Sequence, residues 1–197
     1  MNLELESMAL EMPVVAGHPN RLPFRGVLTL VGVVSQRAPS GSRGHRVMLT
    51  RGATDKAFPS LLGMALDYAP ALDSHDVRRK IGIITEANIL PLHAGGQVSA
   101  VGQLAVGGYL FARDFPEVVD EIGAQSNGNP MLGMSYELTQ VEVPNQEAAI
   151  WTATSFTFTG AAVLRREKAA YPQTWIALEA PAGTGADAAR GKAGGYG

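Results

Sequence analysis

The chain of 197 residues contains no cysteine. That absence excludes a disulfide framework, a thiolate nucleophile and a cysteine-ligated metal site. Charge is also scarce: charged residues make up 17% and the formal net charge is -2. Such a balance gives no electrostatic footprint for nucleic acid, because a phosphate-binding surface needs clustered Lys and Arg. The basic run Arg78-Arg79-Lys80 is short and reads as a solvated loop or strand edge. No stretch approaches the roughly 18 to 20 apolar residues needed to span a bilayer. The start, Met1 to Glu6, is acidic where a secretory signal is basic. The expectation is a soluble protein of a reducing cytoplasm that engages neither membrane nor nucleic acid. Signature loops are missing as well. There is no Gly-x-x-x-x-Gly-Lys, no Gly-x-Gly-x-x-Gly between strand and helix, and no His-Glu-x-x-His. Neither a cofactor nor a metal is therefore expected.

What is present points to a folded domain. Hydrophobic residues make up 46%, a globular composition, and the length suits one domain with a real core. Residues 1–24, with Pro13, Pro19 and Pro23, read as an N-terminal arm; 25–179 as the domain; and 180–197, rich in Ala and Gly, as a disordered tail. Gly26 to Val34 reads as a strand buried on both faces, followed by a flexible loop over Arg37 to Gly44 and a short strand at His45 to Thr50. Thr54 or Asp55 is positioned to cap a helix through Leu66, with Pro59 in its first turn. Lys80 to Ile89 and Gln97 to Val106 read as antiparallel neighbours joined through Pro91 and Gly95-Gly96. Asp114, with Pro116 and Glu117 behind it, marks a helix start. Ile150 to Thr159 alternates cleanly and is expected to pair with the segment before it through Pro144-Asn145; Ala161 to Tyr171 has room for a further strand and a short helix. The fold class expected is α+β: a single domain, mainly an antiparallel β-sheet or barrel with a few surrounding helices.

The segment before that turn, Asn129 to Val143, is strand-like with one serine in its middle. Period-two counting puts Leu132, Met134, Tyr136 and Leu138 on one face, and Met131, Gly133, Ser135 and Glu137 on the other. Ser135 therefore points away from the apolar face, beside a glycine that leaves room for an approaching backbone. A serine hydroxyl becomes a nucleophile when a neutral imidazole can take its proton. Of the four histidines, His75 in Asp73-Ser-His-Asp76, just ahead of a strand, has the most suggestive setting; His93 lies in a loop without such context. Gly133-Met-Ser-Tyr-Glu137 is half of a Gly-x-Ser-x-Gly elbow, but the second glycine and the following helix are missing, which argues against an α/β-hydrolase.

The order of these features resembles the prohead (capsid maturation) proteases of tailed bacteriophages, which are related in fold to the herpesvirus assemblins. The matching pieces are His75-Asp76 followed by Ile81-Gly82-Ile83, then Gly102-Gln-Leu104, a helix over Phe115 to Ile122, the serine strand Leu132 to Glu137, and Thr157 to Leu164. Together they span about Gly26 to Pro172. The resemblance implies an assemblin-like fold with Ser135 as nucleophile and His75 as general base. The third member is sought in the strand after the serine strand, where Thr159 is the first choice, with Asp73, Asp76 and Glu137 as substitutes. By the same resemblance Leu164-Arg165-Arg166 would supply an oxyanion hole. The implied activity is a serine endopeptidase that processes scaffold and major capsid protein precursors in the host cytoplasm, inside the assembling procapsid. By analogy with assemblins, which dimerise to become active, it would be a homo-oligomer. The triplet Ala-Leu-Glu recurs at Ala9 and Ala177, flanking the domain, and suggests self-cleavage after Glu11 and Glu179. The alternatives are a non-catalytic head-assembly or scaffold protein that retains the protease fold, and a generic β-rich binding domain.

Overall fold

A computed structural model describes residues 7–13, 15, 17–92, 101–125 and 131–179. The expected tail, the Gly95-Gly96 turn, His93 and the Asn129-Pro130 entry to the serine strand lie outside these residues. The strands, in chain order, are β1 (Ser7–Ala9), β2 (Leu22–Val31), β3 (Arg46–Leu49), β4 (Ala65–Asp67), β5 (Lys80–Pro91), β6 (Gly102–Leu110), β7 (Leu132–Glu142), β8 (Ile150–Ala153), β9 (Ser155–Arg165) and β10 (Trp175–Leu178). Two α-helices accompany them, α1 (Arg51–Ala57) and α2 (Pro116–Ala124). The chain is thus a single, mostly β domain with few helices, as the composition and hairpin pattern led us to expect.

β2 is the spine of the main sheet. Its sequence is apolar and β-branched beyond Gly26, and every residue from Gly26 to Val31 is buried, as befits a strand covered on both faces. The sheet runs β10-β2-β6-β5-β4-β9-β7, with β1 lying along β5. Most neighbours are antiparallel, but β4 pairs parallel with β9, so the sheet is mixed. It curls into a half-barrel, which brings its last strand, β7, back against β2. A Cβ on Gly26 would meet the Met134 sulfur at 2.7 Å and collide with the Trp175 carbonyl. Beside this contact, Met134 N–H donates to Thr174 Oγ1 at 3.2 Å. A separate two-stranded parallel sheet, β3-β8, stands to one side.

Several boundaries differ from the sequence reading. The first helix starts earlier and ends sooner. Thr50 caps it, its hydroxyl accepting from Ala53 N–H, while Thr54 turns its hydroxyl back onto the Thr50 carbonyl at 2.8 Å. Pro59, which cannot donate to a helix ladder, opens a 3₁₀ turn over Phe58–Leu61 instead. Gly63, at φ 81°, reverses the chain and Leu66 enters β4. Ala57, Leu61 and Leu66 are buried all the same, which is why a helical period fitted them. Asp114 does not cap α2; its carboxylate accepts from Asn20 Nδ2 at 2.8 Å, and Phe115 occupies the cap position without a side-chain bond. The expected strand Ile150 to Thr159 is two strands. β8 pairs with β3, and after Thr154 the chain turns into β9, which pairs with β7. β9 runs on to Arg165, and turns rather than a helix follow it. Part of the expected arm is sheet, since β1 pairs with β5 and β2 begins at Leu22.

Gly26 tests the close approach that seats the serine strand. Gly26→Ala is expected to lower stability by about 1–3 kcal/mol, the usual cost of forcing atoms into a packed site. Urea unfolding checks this: the midpoint falls and the slope is unchanged.

Candidate active site

Ser135 lies in the middle of β7, directly opposite Ala162 of β9. Leu132 and Met134 on one face of the strand are buried in the core, so alternation turns Ser135 and Glu137 to the other side. Facing them is the loop that links β4 to β5. Leu72, at φ 53°, bends this loop, and its carbonyl accepts from Arg165 N–H at 2.7 Å, tying it to the end of β9. His75 sits at the loop's far reach, and its Nε2 lies 3.1 Å from Ser135 Oγ. The two residues are 60 positions apart in the chain and meet because β4, β9 and β7 are consecutive in the sheet.

The other ring nitrogen faces two carboxylates. His75 Nδ1 is 3.2 Å from Glu137 Oε1 and 3.5 Å from Asp67 Oδ1. Both lie within ion-pair range of an imidazolium, and neither has the direction of a well-formed hydrogen bond. With a proton on Nδ1, on the side of the acids, Nε2 is left as the acceptor for the serine hydroxyl, the tautomer a general base requires. Asp67 is fully buried, and its second oxygen is held by Lys80 Nζ at 3.0 Å. Asp76 N–H adds a long bond, 3.4 Å, to Asp67 Oδ1. Glu137 reaches the ring across a gap that residue 160 leaves open: a Cβ on Gly160 would lie 2.7 Å from Glu137 Oε2.

The expected residues therefore separate. Ser135 and His75 are brought together. Thr159 lines the same cavity but makes no hydrogen bond to the ring; it is exposed on β9, and carboxylates occupy the position it was expected to fill. Of the substitutes, Asp73 accepts from the Ser74 hydroxyl at 2.9 Å. Asp76 accepts from Arg78 Nε at 3.1 Å, and these Arg78 bonds hold its carboxyl below the usual range. Glu137 alone among them reaches His75. Asp67 and Lys80 escaped the sequence reading, which ended a helix at Leu66. The available signal was an acid flanked by Leu66 and Tyr68 in an otherwise apolar segment. The segment named for an oxyanion hole has its backbone donors engaged: Arg165 N–H goes to Leu72 and Arg166 N–H to the Met131 carbonyl, at 2.8 Å.

The serine opens into a cavity of about 790 Å³, walled by the 38–42 loop, Trp151, Leu138 and Lys168. Tyr171 braces one wall, its hydroxyl within 3.0 Å of the Val33 carbonyl and 3.1 Å of the Val47 carbonyl. Burial raises its pKa and that of Tyr136 well above the usual phenol range, so both stay neutral and act as packing groups. Asp67, His75 and Glu137 offer atoms within 4.8 Å of one another, an arrangement that could admit a divalent ion. Lys80 already neutralises Asp67, and the open side of the imidazole is turned to serine, so the donor set suits proton transfer better than ligation.

No known protein family, curated protein or solved structure matches this chain. No helix among the described residues is long and apolar enough to cross a membrane.

The Asp67–Lys80 pair makes a direct test of the site's support. Lys80→Met removes the cation from a buried carboxylate and is expected to cost about 2 kcal/mol, less than breaking a fully buried pair because Lys80 is partly exposed to solvent screening. Thr159→Val, at an exposed position without such a partner, should stay within about 0.5 kcal/mol. Parallel urea titrations distinguish them.

Proposed function

We propose that this protein is a serine endopeptidase with an assemblin-like fold that processes scaffold and major capsid protein precursors during phage head maturation. The observation that carries the catalytic part is the line from Ser135 Oγ through His75 Nε2 and Nδ1 to Glu137 and Asp67, opening into a cavity large enough for several residues of an extended peptide. The phage assignment rests on the order of motifs in the sequence, from His75-Asp76 to Thr157-Leu164.

The chemistry follows from the geometry. Ser135 Oγ attacks the peptide carbonyl carbon as His75 Nε2 takes the hydroxyl proton. The imidazolium so formed faces two carboxylates, which stabilise its charge as a neutral threonine does not. The tetrahedral intermediate collapses, the C–N bond breaks, and His75 returns its proton to the leaving amine. Water then attacks the acyl-serine with His75 again as base, releasing the acid and restoring the serine. Trimming of the chain's own ends is a corollary. Ala9 closes β1 and Ala177-Leu178 lie in β10, with Glu179 N–H held by the Pro23 carbonyl at 2.9 Å. Cleavage after Glu179 would therefore require the end of β10 to open first.

The second reading is a head-assembly protein that keeps this fold without turnover. The engagement of both backbone donors at Arg165 and Arg166 favours it, since acyl transfer needs donors aimed at the developing oxyanion.

The two readings separate when wild type and variants are incubated with the cognate scaffold or capsid precursor. The protease reading expects cleavage by wild type and none by Ser135→Ala. Glu137→Gln should lower kcat by about a hundredfold, since it removes one of two charges facing the imidazolium. Thr159→Val should leave kcat nearly unchanged. Equal cleavage by wild type and Ser135→Ala sinks the nucleophile, and cleavage by neither favours the assembly role.

A further inference from the structure

Beside His75, Arg78 and Arg79 pair with Asp76 and Lys80 with Asp67. Arg37, Arg165 and Lys168, by contrast, are exposed and pair with no acid among the described residues. They line two cavities. Lys168 lines the serine cavity, while Arg37 and Arg165 line a second one, of about 420 Å³, together with Met131 and Glu167.

The linings of the two cavities are contiguous in the chain. Ala38 belongs to the first and Arg37 to the second; Leu164 to the first and Arg165 to the second. Gln36 and Arg37 donate their N–H groups to the Ala170 carbonyl at 3.0 and 3.3 Å, which fixes the 36–38 strip against the turn after β9. Glu167 is the acid lining the second cavity, opposed there by Arg37 and Arg165. The first cavity carries acids of its own, Glu137 beside His75 and Asp73 accepting from Ser74. The excess of positive charge therefore lies in the second cavity, in a chain whose net charge is -2, and guanidinium groups are strong, geometrically selective donors to carboxylates.

We infer that this basic corner binds an acidic segment of the polypeptide substrate, lying to one side of the bond presented to Ser135. The inference rests on the protease reading for the word substrate, but the binding itself does not. Carboxylates of the bound segment meet Arg37, Arg165 and Lys168, and Met131, 72% exposed and lining the second cavity with the arginines, offers an apolar contact to a neighbouring residue. Three cations in a recess suit a few side-chain carboxylates better than a nucleic-acid backbone, which calls for a longer track of charge.

The test uses the full chain with Ser135→Ala, so that binding is read without chemistry. A fluorescein-labelled decaglutamate is titrated by fluorescence anisotropy at low salt. Saturable binding is expected, weakening with salt as exposed charges are screened and falling about tenfold in the Arg37→Gln/Arg165→Gln double variant. Arg113→Gln, outside both cavities, should bind like the parent. All these positions are exposed, and matching circular dichroism spectra confirm that the fold is kept. Absence of saturable binding, or equal binding by the double variant, overturns the inference. So does tighter binding of a ten-residue oligothymidylate, which would make the corner a phosphate site. Failure of the protease reading appears separately, as absence of precursor cleavage, and leaves this titration intact.

Discussion

The carboxylate of Asp67 has no access to solvent, and the site is arranged around that fact. A buried charge must be paired or it destabilises the fold by several kcal/mol. Lys80 answers from the start of β5, the Asp76 N–H from the intervening loop, and His75 from that loop's outer reach. Satisfying one acid therefore fixes the path of the chain between β4 and β5. The same requirement turns the imidazole so that one nitrogen meets acid and the other meets Ser135. Leu72, bound to Arg165, anchors the loop at its near end. An imidazole held in this way is preorganised for the role proposed for it.

The serine's half of the site is set by the sheet. β7 is the terminal strand, yet its edge is not left open, because the curl of the sheet brings Met134 over Gly26 and its N–H onto Thr174. Burial of Leu132 and Met134 fixes the strand's register, since a slip of one residue would exchange its faces. Ser135 and Glu137 are then committed to the cavity side together. The same strand thus carries both the serine and a carboxylate that faces the imidazole, on one rigid element with His75 between them. Gly160 completes this by leaving Glu137 the volume it occupies.

Strand content and the alternation of β7 are legible because they depend on local period, and the proximity of Ser135 to His75 follows the order of motifs on which the resemblance rests. The carboxylates that face the imidazole are less legible. The resemblance points to Thr159, in the strand after the serine strand, whereas the neighbours of an imidazole are chosen in space. Glu137 stood two residues from the serine, on the same face by simple counting, and was ranked behind it. Asp67 was hidden by a tertiary effect. Leu61 and Leu66 satisfy a helical period, but Pro59 and Gly63 break the helix, and parallel pairing with β9 makes Ala65–Asp67 a strand. Local pattern cannot report a pairing between segments nearly a hundred residues apart. The division of Ile150 to Arg165 into two strands of different sheets was illegible for the same reason.

The central claim is that Ser135 is a nucleophile made reactive by His75. A fluorophosphonate reagent tests it without knowledge of the substrate, since it phosphonylates an activated serine hydroxyl and leaves ordinary ones alone. Intact mass and peptide mapping of the treated protein should show one adduct, on the peptide containing Ser135, formed far more slowly in His75→Ala. Absence of an adduct at Ser135, or labelling at the same rate without the imidazole, would contradict the account.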